Sequence, residues 1–118
     1  MAKKILVADD DPGIVDAMRI LLEDEGYEVI VTLDAENILK LYEEKPDLLF
    51  LDIWMSGTDG NTVCKMLKGN DPTKNVPIII FSANRDIEAI ARECGADDFL
   101  LKPFEIKDLI AMVKKYTD

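Results

Sequence analysis

Five short apolar runs recur along the chain at near-regular spacing, and segments with helical periodicity separate them. The runs are brief and rich in β-branched or aromatic residues, which favours strands over helices. The central runs are apolar on both faces, as in a parallel sheet that helices cover on each side. The pattern therefore predicts strands at residues 5–7, 29–31, 48–51, 78–81 and 99–101.

Between these runs, apolar residues recur every three or four positions, which is the spacing of one helix face. The first such segment carries Ile14, Met18, Leu21 and Leu22. Pro46 would stop the second helix, because proline cannot continue it. Three glycines follow helical segments, where we expect a left-handed residue to close the last turn: Gly26, Gly69 and Gly95.

This alternation predicts an α/β fold. Right-handed crossovers turn five βα repeats into a doubly wound five-stranded parallel sheet. The expected fold is of the (βα)5 flavodoxin-like type, which has the strand order 2-1-3-4-5. A length of 118 residues fits a single domain, at 1–118. In such sheets ligands bind beyond the carboxyl ends of the strands, near the point where the strand order reverses.

The amino-acid composition excludes several kinds of function. A net charge of −10 argues against direct nucleic-acid binding, because it would repel a phosphate backbone. No apolar run is long enough for a membrane helix and no signal peptide is apparent, so we expect a cytoplasmic protein without membrane contact.

The chain has no histidine, which excludes Ser-His-Asp and Cys-His catalysis. Cys64 and Cys94 are expected to be buried free thiols.

Acidic residues stand at the ends of two predicted neighbouring strands. Asp9 and Asp10 end strand 1, and Asp52 ends strand 3. Three carboxylates in one cleft would repel one another, so either protons or a cation must neutralise them. An all-oxygen donor set suits Mg²⁺ or Mn²⁺, which keeps coordination positions open for a phosphoryl oxygen.

The ends of strands 4 and 5 carry groups that suit a phosphoryl ligand. Ser82 and the backbone N–H of Ala83 can donate hydrogen bonds, and Lys102 adds a positive charge. Each of these residues alone is weak evidence, but four of five strand ends carry complementary chemistry.

The sequence resembles the receiver domains of two-component response regulators, the fold of the bacterial chemotaxis response regulator. The resemblance covers essentially the whole chain through the segments "ILVADDDP", "PDLLFLDIWMSGTDG", "VPIIIFSA" and "GADDFLLKPF". It implies that Asp52 is the phosphoacceptor, that Asp10 binds Mg²⁺ directly and that Asp9 holds metal-bound water. It also implies that the backbone carbonyl of Trp54 completes the protein's share of the metal shell.

Further roles follow from the same resemblance. Ser82 and Lys102 would contact the phosphoryl group, Ser82 and Phe99 would form the switch, and the Lys102-Pro103 peptide bond would be cis. The resemblance implies transfer of a phosphoryl group from a histidine kinase or a histidine phosphotransfer protein onto Asp52. The chain would catalyse only its own phosphorylation and slow dephosphorylation, and the face formed by helix 4, strand 5 and helix 5 would bind a downstream protein.

Other functions compete with this interpretation. The main alternative is a receiver-like interaction module that works without phosphorylation. A flavin mononucleotide binder would need phosphate-binding loops rich in glycine and hydroxyl side chains at the point where the strand order reverses. A haloacid-dehalogenase-type phosphatase would need a second aspartate two residues after the nucleophile, where this chain has Trp54. The sequence leaves open whether the domain acts alone or within a longer protein.

Residues around the strand ends invite narrower predictions. Trp54 would either shield the phosphoryl group from water or lie on the surface as a plain indole. Asp11, followed by Pro12, is expected to cap helix 1. Asn84 is expected to cap helix 4, and Asp59 to be a turn or cap residue. Ser56 stands where receiver domains usually have proline, which would leave the loop more freedom.

Overall fold

A computed structural model of the chain describes residues 2–55 and 58–117. Its central sheet has five strands, β1 (Lys4–Ala8), β2 (Glu28–Thr32), β3 (Leu48–Asp52), β4 (Ile78–Ser82) and β5 (Asp98–Leu101). All neighbouring strands pair in parallel, in the order β2-β1-β3-β4-β5. The predicted α/β fold and strand order are confirmed.

Five helices connect or follow the strands. They are α1 (Pro12–Asp24), α2 (Ile38–Leu41), α3 (Gly60–Lys68), α4 (Ile87–Cys94) and α5 (Ile106–Thr117). None of the described helices is long and apolar enough to cross a membrane.

The helix ends agree only in part with the expected stops. Gly26 and Gly95 have φ of 96° and 82° and lie in the left-handed region, as predicted. The prediction for Gly69 is wrong, because its φ is −90° and the helix ends there in a right-handed conformation. The second helix has only four residues and continues as the 3₁₀ turn Tyr42–Glu44, and left-handed Lys45, with φ of 57°, closes it before Pro46.

The sheet is buried on both faces, because each strand sends alternate side chains into one of two core layers. On one face, Ile5 and Val7 lie in a layer to which α1 and α5 contribute. On the other face, Leu49 and Leu51 lie in a layer to which α2, α3 and α4 contribute. The free thiols of Cys64 and Cys94 are buried in this second layer, as expected.

A short antiparallel hairpin follows β3, and the hydrophobic pattern did not predict it. Trp54–Met55 pairs with Thr58–Asp59, directly between β3 and the start of α3. Met55 is completely buried in the core layer below α3, whereas Trp54 points outward. Because the hairpin is anchored on its buried side, it holds the chain close to the carboxyl end of β3.

Candidate functional site

Three carboxylates meet at the carboxyl ends of β1 and β3. Carboxylate oxygens of Asp9, Asp10 and Asp52 all lie within 4.8 Å of one another. The three residues differ in burial, since Asp9 is 1% exposed, the Asp52 side chain is 13% exposed and Asp10 is exposed. The topology thus brings together the acidic residues that the sequence singled out.

Lys102 lies against this cluster from the end of β5. Its Nζ donates to Asp9 Oδ2 at 2.7 Å and lies 3.6 Å from Asp52 Oδ1. The Lys102 side chain is only 18% exposed, so water screens these contacts weakly. The next peptide bond, Lys102-Pro103, is cis.

The surroundings of Asp52 disfavour its ionised form. The pKa of Asp52 is raised to about 6, chiefly by burial and next by the negative charge of Asp9. The positive charge of Lys102 and a hydrogen bond from the backbone N–H of Ile53 act in the opposite direction on the same pKa. Asp52 therefore remains mostly ionised at neutral pH but carries an electrostatic cost that a nearby cation would relieve.

This donor set fits a hard divalent cation. Three carboxylates supply oxygen ligands only, and one lysine does not cancel three negative charges. Asp9, Asp10 and Asp52 are thus the described residues that could hold such an ion. Trp54, whose backbone carbonyl was a further predicted ligand, follows the cluster as the first residue of the hairpin.

Ser82 and Ala83 lie at the end of β4, beside the acidic cluster. Ser82 pairs in register with Leu101, and its carbonyl oxygen accepts the N–H of Lys102 at 2.8 Å. The Ser82 hydroxyl accepts the N–H of Asn84 at 3.1 Å, while Ala83 is exposed. The Ser82 hydroxyl and Lys102 thus lie at the ends of two adjacent strands, which a backbone hydrogen bond joins at this point.

Phe99 lies one strand further out, in β5. It pairs in register with Ile80 and is partly buried against the core layer that contains Ile87 and Ala91 of α4. Phe99 therefore packs on the sheet face that α2, α3 and α4 cover.

The residues expected to cap helices behave differently from one another. Asp11 caps α1, its Oδ1 accepting the Gly13 N–H at 2.9 Å, and Asp59 caps α3 through the Asn61 N–H at 2.9 Å. The prediction for Asn84 is wrong, because α4 begins at Ile87 with Asp86 at its N-cap. The Asn84 side chain instead accepts the Asp86 N–H at 2.9 Å and forms the turn before the helix.

Two other loop residues were singled out by the sequence. The Trp54 side chain is 59% exposed, on the outer side of the hairpin. Ser56, the departure from the usual proline, lies outside the described residues.

Gly60 has a role that the sequence pattern did not predict. A Cβ at this position would lie 2.8 Å from both the Cα and the carbonyl oxygen of Ile53, and closer still to the carbonyl oxygen of Asp52. The Gly60 N–H also donates to the Ile53 carbonyl oxygen. Gly60 therefore allows the hairpin to close on the end of β3, and the Asp59-Gly60 pair in the loop was the available signal.

A groove of about 350 Å³ opens beside Lys102. Its walls come from the first turn of α1, the β4 end and the segment after β5, through Ile14, Ala83, Lys102, Pro103 and Phe104. Apart from Lys102, the residues that line it are apolar, so the acidic site has a hydrophobic border on this side.

Known proteins resemble this chain in both sequence and fold. The sequence matches the family model of the response regulator receiver domain over residues 5–114. The chain is also similar to the receiver domain of NtrX from Brucella abortus, with 35% identity, a TM-score of 0.85 and coverage of 95% of this chain and 96% of that one.

Two more solved structures are similar over nearly the full length. A two-component response regulator from Clostridium difficile is 31% identical, with a TM-score of 0.86 and coverage of 97% and 94%. The signal receiver domain of a signal transduction histidine kinase from Syntrophus aciditrophicus is 29% identical, with a TM-score of 0.88 and coverage of 98% and 89%.

Proposed function

This chain belongs to the response regulator receiver domain family, and we propose that it takes a phosphoryl group from a phosphohistidine donor onto Asp52 and thereby changes which partner it binds. The observation that carries this proposal is the environment of Asp52. Its carboxylate is largely buried, lies within 4.8 Å of two other carboxylates and is 3.6 Å from Lys102 Nζ. The nucleophile, the positive charge of Lys102 and the oxygens that would bind a metal thus lie together at the carboxyl end of the sheet.

The reaction is an exchange of one bond for another at phosphorus. An Asp52 carboxylate oxygen forms a P–O bond while the P–N bond to the donor imidazole breaks, and the imidazole takes up a proton. Asp52 must be ionised to attack, and with a pKa of about 6 it is mostly ionised at neutral pH. Lys102 lies close enough to stabilise the negative charge of the phosphoryl oxygens.

We propose Mg²⁺ or Mn²⁺ as the cofactor, held by Asp9, Asp10 and Asp52 with the backbone carbonyl of Trp54. When bound, such an ion neutralises the carboxylates and the charge of the phosphoryl oxygens. The three carboxylates within 4.8 Å and the raised pKa of Asp52 support this assignment. Ser82 and the Ala83 N–H would bind the remaining phosphoryl oxygens.

The product is an aspartyl phosphate on the protein itself, so the chain does not act as an enzyme on other substrates. Slow attack of water on this acyl phosphate would return Asp52 to its free form. The position two residues after Asp52 is Trp54 rather than an aspartate, which supports self-modification over turnover of phosphate esters.

The donor would be a histidine kinase or a histidine phosphotransfer protein in the cytoplasm, since this chain has no histidine. A donor histidine that reaches Asp52 must bring its own protein surface against the border of the site. The groove beside Lys102, lined by Ile14, Pro103 and Phe104, offers apolar area for that contact.

The output would be a shift in the population of conformations. Movement of Ser82 toward the phosphoryl oxygens would open space for Phe99, which is partly buried against the core layer on the α4 side of the sheet. The face formed by α4, β5 and α5 would then bind a downstream protein. A groove of about 530 Å³ along β5 and α5, with Leu101 45% exposed at its border, supports this location.

The central experiment uses the fluorescence of Trp54, the only tryptophan. We expect Mg²⁺ to change its emission and acetyl phosphate to change it again in a second, slower step. Asp52→Asn should abolish the second step, because the nucleophile is gone. An Asp52→Asn protein that still responds to acetyl phosphate would refute the assignment of the phosphoacceptor.

A matched pair of neighbouring variants tests the metal site. Asp10→Asn should abolish the response to Mg²⁺, because it removes one of three carboxylates within 4.8 Å. Asp11→Asn should leave the response nearly intact, because Asp11 caps α1. If the wild-type protein takes no phosphoryl group and still binds a partner, the alternative of a phosphorylation-independent interaction module replaces this proposal.

A further inference from the structure

Lys102 has a third close partner besides its two carboxylates. Its Nζ lies 4.5 Å from the centre of the Phe81 ring, while the same atom contacts Asp9 and Asp52. An ammonium group over the face of an aromatic ring is attracted by the negative charge density of that face. The lysine at the site therefore lies between two carboxylates and one ring.

The Phe81 ring is well fixed. Phe81 is the fourth residue of β4, is completely buried, and pairs in register with Asp52 across the sheet. Its ring meets the equally buried ring of Phe50 edge to face, with the centres 6.1 Å apart and an angle of 89° between the planes. A ring held by the sheet and by a second ring offers Lys102 a rigid surface.

The ring differs from the carboxylates in one respect that matters for the site. It attracts the ammonium without cancelling its charge and without accepting its N–H groups in strong hydrogen bonds. When Asp9 and Asp52 are occupied by another cation or by a phosphoryl group, their hold on Lys102 weakens, whereas the ring stays in place. Lys102 would thus keep its position while its N–H groups become available to a new anion.

We propose that Phe81 is a positioning residue for the phosphoryl transfer: its ring face holds the Lys102 ammonium at the edge of the acidic cluster, ready to meet the phosphoryl oxygens. This rests on the proposed function of Asp52 as phosphoacceptor. Leucine or isoleucine at this buried position would be equally apolar, but neither would attract a cation.

A graded series of fluorinated phenylalanines at position 81 separates attraction from packing. Fluorine withdraws charge from the ring face while the shape of the ring changes little. The full-length protein would carry 4-fluoro-, 3,5-difluoro- and 3,4,5-trifluorophenylalanine in turn. We expect the rate of phosphorylation by acetyl phosphate to fall with each added fluorine, on the order of fivefold for the trifluoro ring. A flat series in active, folded protein would overturn the proposal.

Phe50 provides the matched control, because its ring is equally buried and touches Phe81. The same three analogues at position 50 should leave the rate unchanged, and urea unfolding of every variant would show that each is folded. An equal slowing from position 50 would overturn the proposal, because the effect would then come from the core and not from the contact with Lys102.

A second measurement does not depend on phosphoryl transfer. NMR relaxation of the Lys102 side chain, measured with excess Mg²⁺ so that the carboxylates no longer hold the ammonium alone, should show increasing motion as fluorines are added at position 81, and no change for position 50. If the wild-type protein accepts no phosphoryl group, the proposed function fails, and this measurement alone decides whether the ring orders the lysine. Unchanged relaxation across the series would show that it does not.

Discussion

Asp52 shows how burial and neighbouring charge act on a single residue. Its pKa rises from the ordinary 3.8 to about 6, chiefly through burial and then through the charge of Asp9. The folded protein thus holds the Asp52 proton more tightly than the unfolded chain does. The stability from this effect is fully present below about pH 4 and is lost as the pH rises through about 6.

We expect Asp52→Asn to stabilise the metal-free protein at neutral pH, because the amide carries no charge to bury. The gain in free energy of unfolding over wild type should reach about 3 kcal/mol near pH 7.5. This is the free energy that corresponds to the rise in the pKa of Asp52 from 3.8 to about 6. Near pH 4 the two proteins should differ little from this cause. Urea unfolding at both pH values measures the difference, and an equal difference at both would contradict the explanation.

Trp54 is the other residue whose role can be tested alone. Its indole is 59% exposed, two residues beyond Asp52. If the ring restricts the approach of water, Trp54→Ala should shorten the lifetime of the aspartyl phosphate severalfold, while Trp54→Phe should keep most of it. Phosphoryl loss timed after removal of the donor measures this. An unchanged lifetime in Trp54→Ala would leave the indole as a plain surface residue.

At the scale of elements, the hairpin after β3 decides the shape of the loop that carries Trp54. Gly60 lets this hairpin close, because any Cβ there would press on the backbone of Asp52 and Ile53. The element thus depends on a position without a side chain and on the burial of Met55.

Gly60→Ala should therefore destabilise the protein by about 1–3 kcal/mol, the usual cost of overpacking, and shift the Trp54 emission as the hairpin moves. Gly13→Ala is the control, since the added Cβ meets only the Asp11 side chain, at 3.3 Å, inside α1. Urea unfolding should find that variant within about 1 kcal/mol of wild type. Equal losses for both variants would disprove the special role of Gly60.

At the scale of the whole molecule, Lys68 connects parts of the chain that lie apart in sequence. Its Nζ lies 2.5 Å from Asp97 Oδ2 and donates to the carbonyl oxygens of Val76 and Lys74. Asp97 Oδ2 in turn accepts the N–H of Ile78, the first residue of β4. One ammonium thus joins α3, the segment before β4 and the turn before β5.

Lys68→Met should cost about 1–2 kcal/mol of unfolding free energy, because it leaves several acceptors without their charged donor. Lys65→Met on the same helix is the control. Its ion pair with Glu93 spans 3.7 Å with both side chains more than half exposed, and such pairs contribute little. Thermal unfolding of the two variants compares them, and a loss in Lys65→Met as large as that in Lys68→Met would refute this account.

Much of the fold could be predicted because its signals are local. Strand length, two-sided apolar character and the glycines at 26 and 95 report directly on the nearby backbone. The predictions that were wrong concern helix ends, where several local backbone conformations compete. Gly69 ends its helix in a right-handed conformation, and Asn84 forms a turn before α4 instead of capping it. The hairpin was missed because two-residue strands carry too little pattern.

By itself, the sequence determined the strands, the helices and the residues at the strand ends, since periods of 2 and 3.6 residues decide which side chains face the core. The strand order was predicted from the fold type that this alternation resembles, because periodicity does not decide which strands are neighbours. Only the tertiary structure decided which side chains meet: Phe81 under Lys102, Gly60 against Asp52, and Lys68 between three segments. Such contacts depend on strand register, on side-chain conformation and on the exclusion of water. No spacing along a single chain encodes them, because their partners come from different elements.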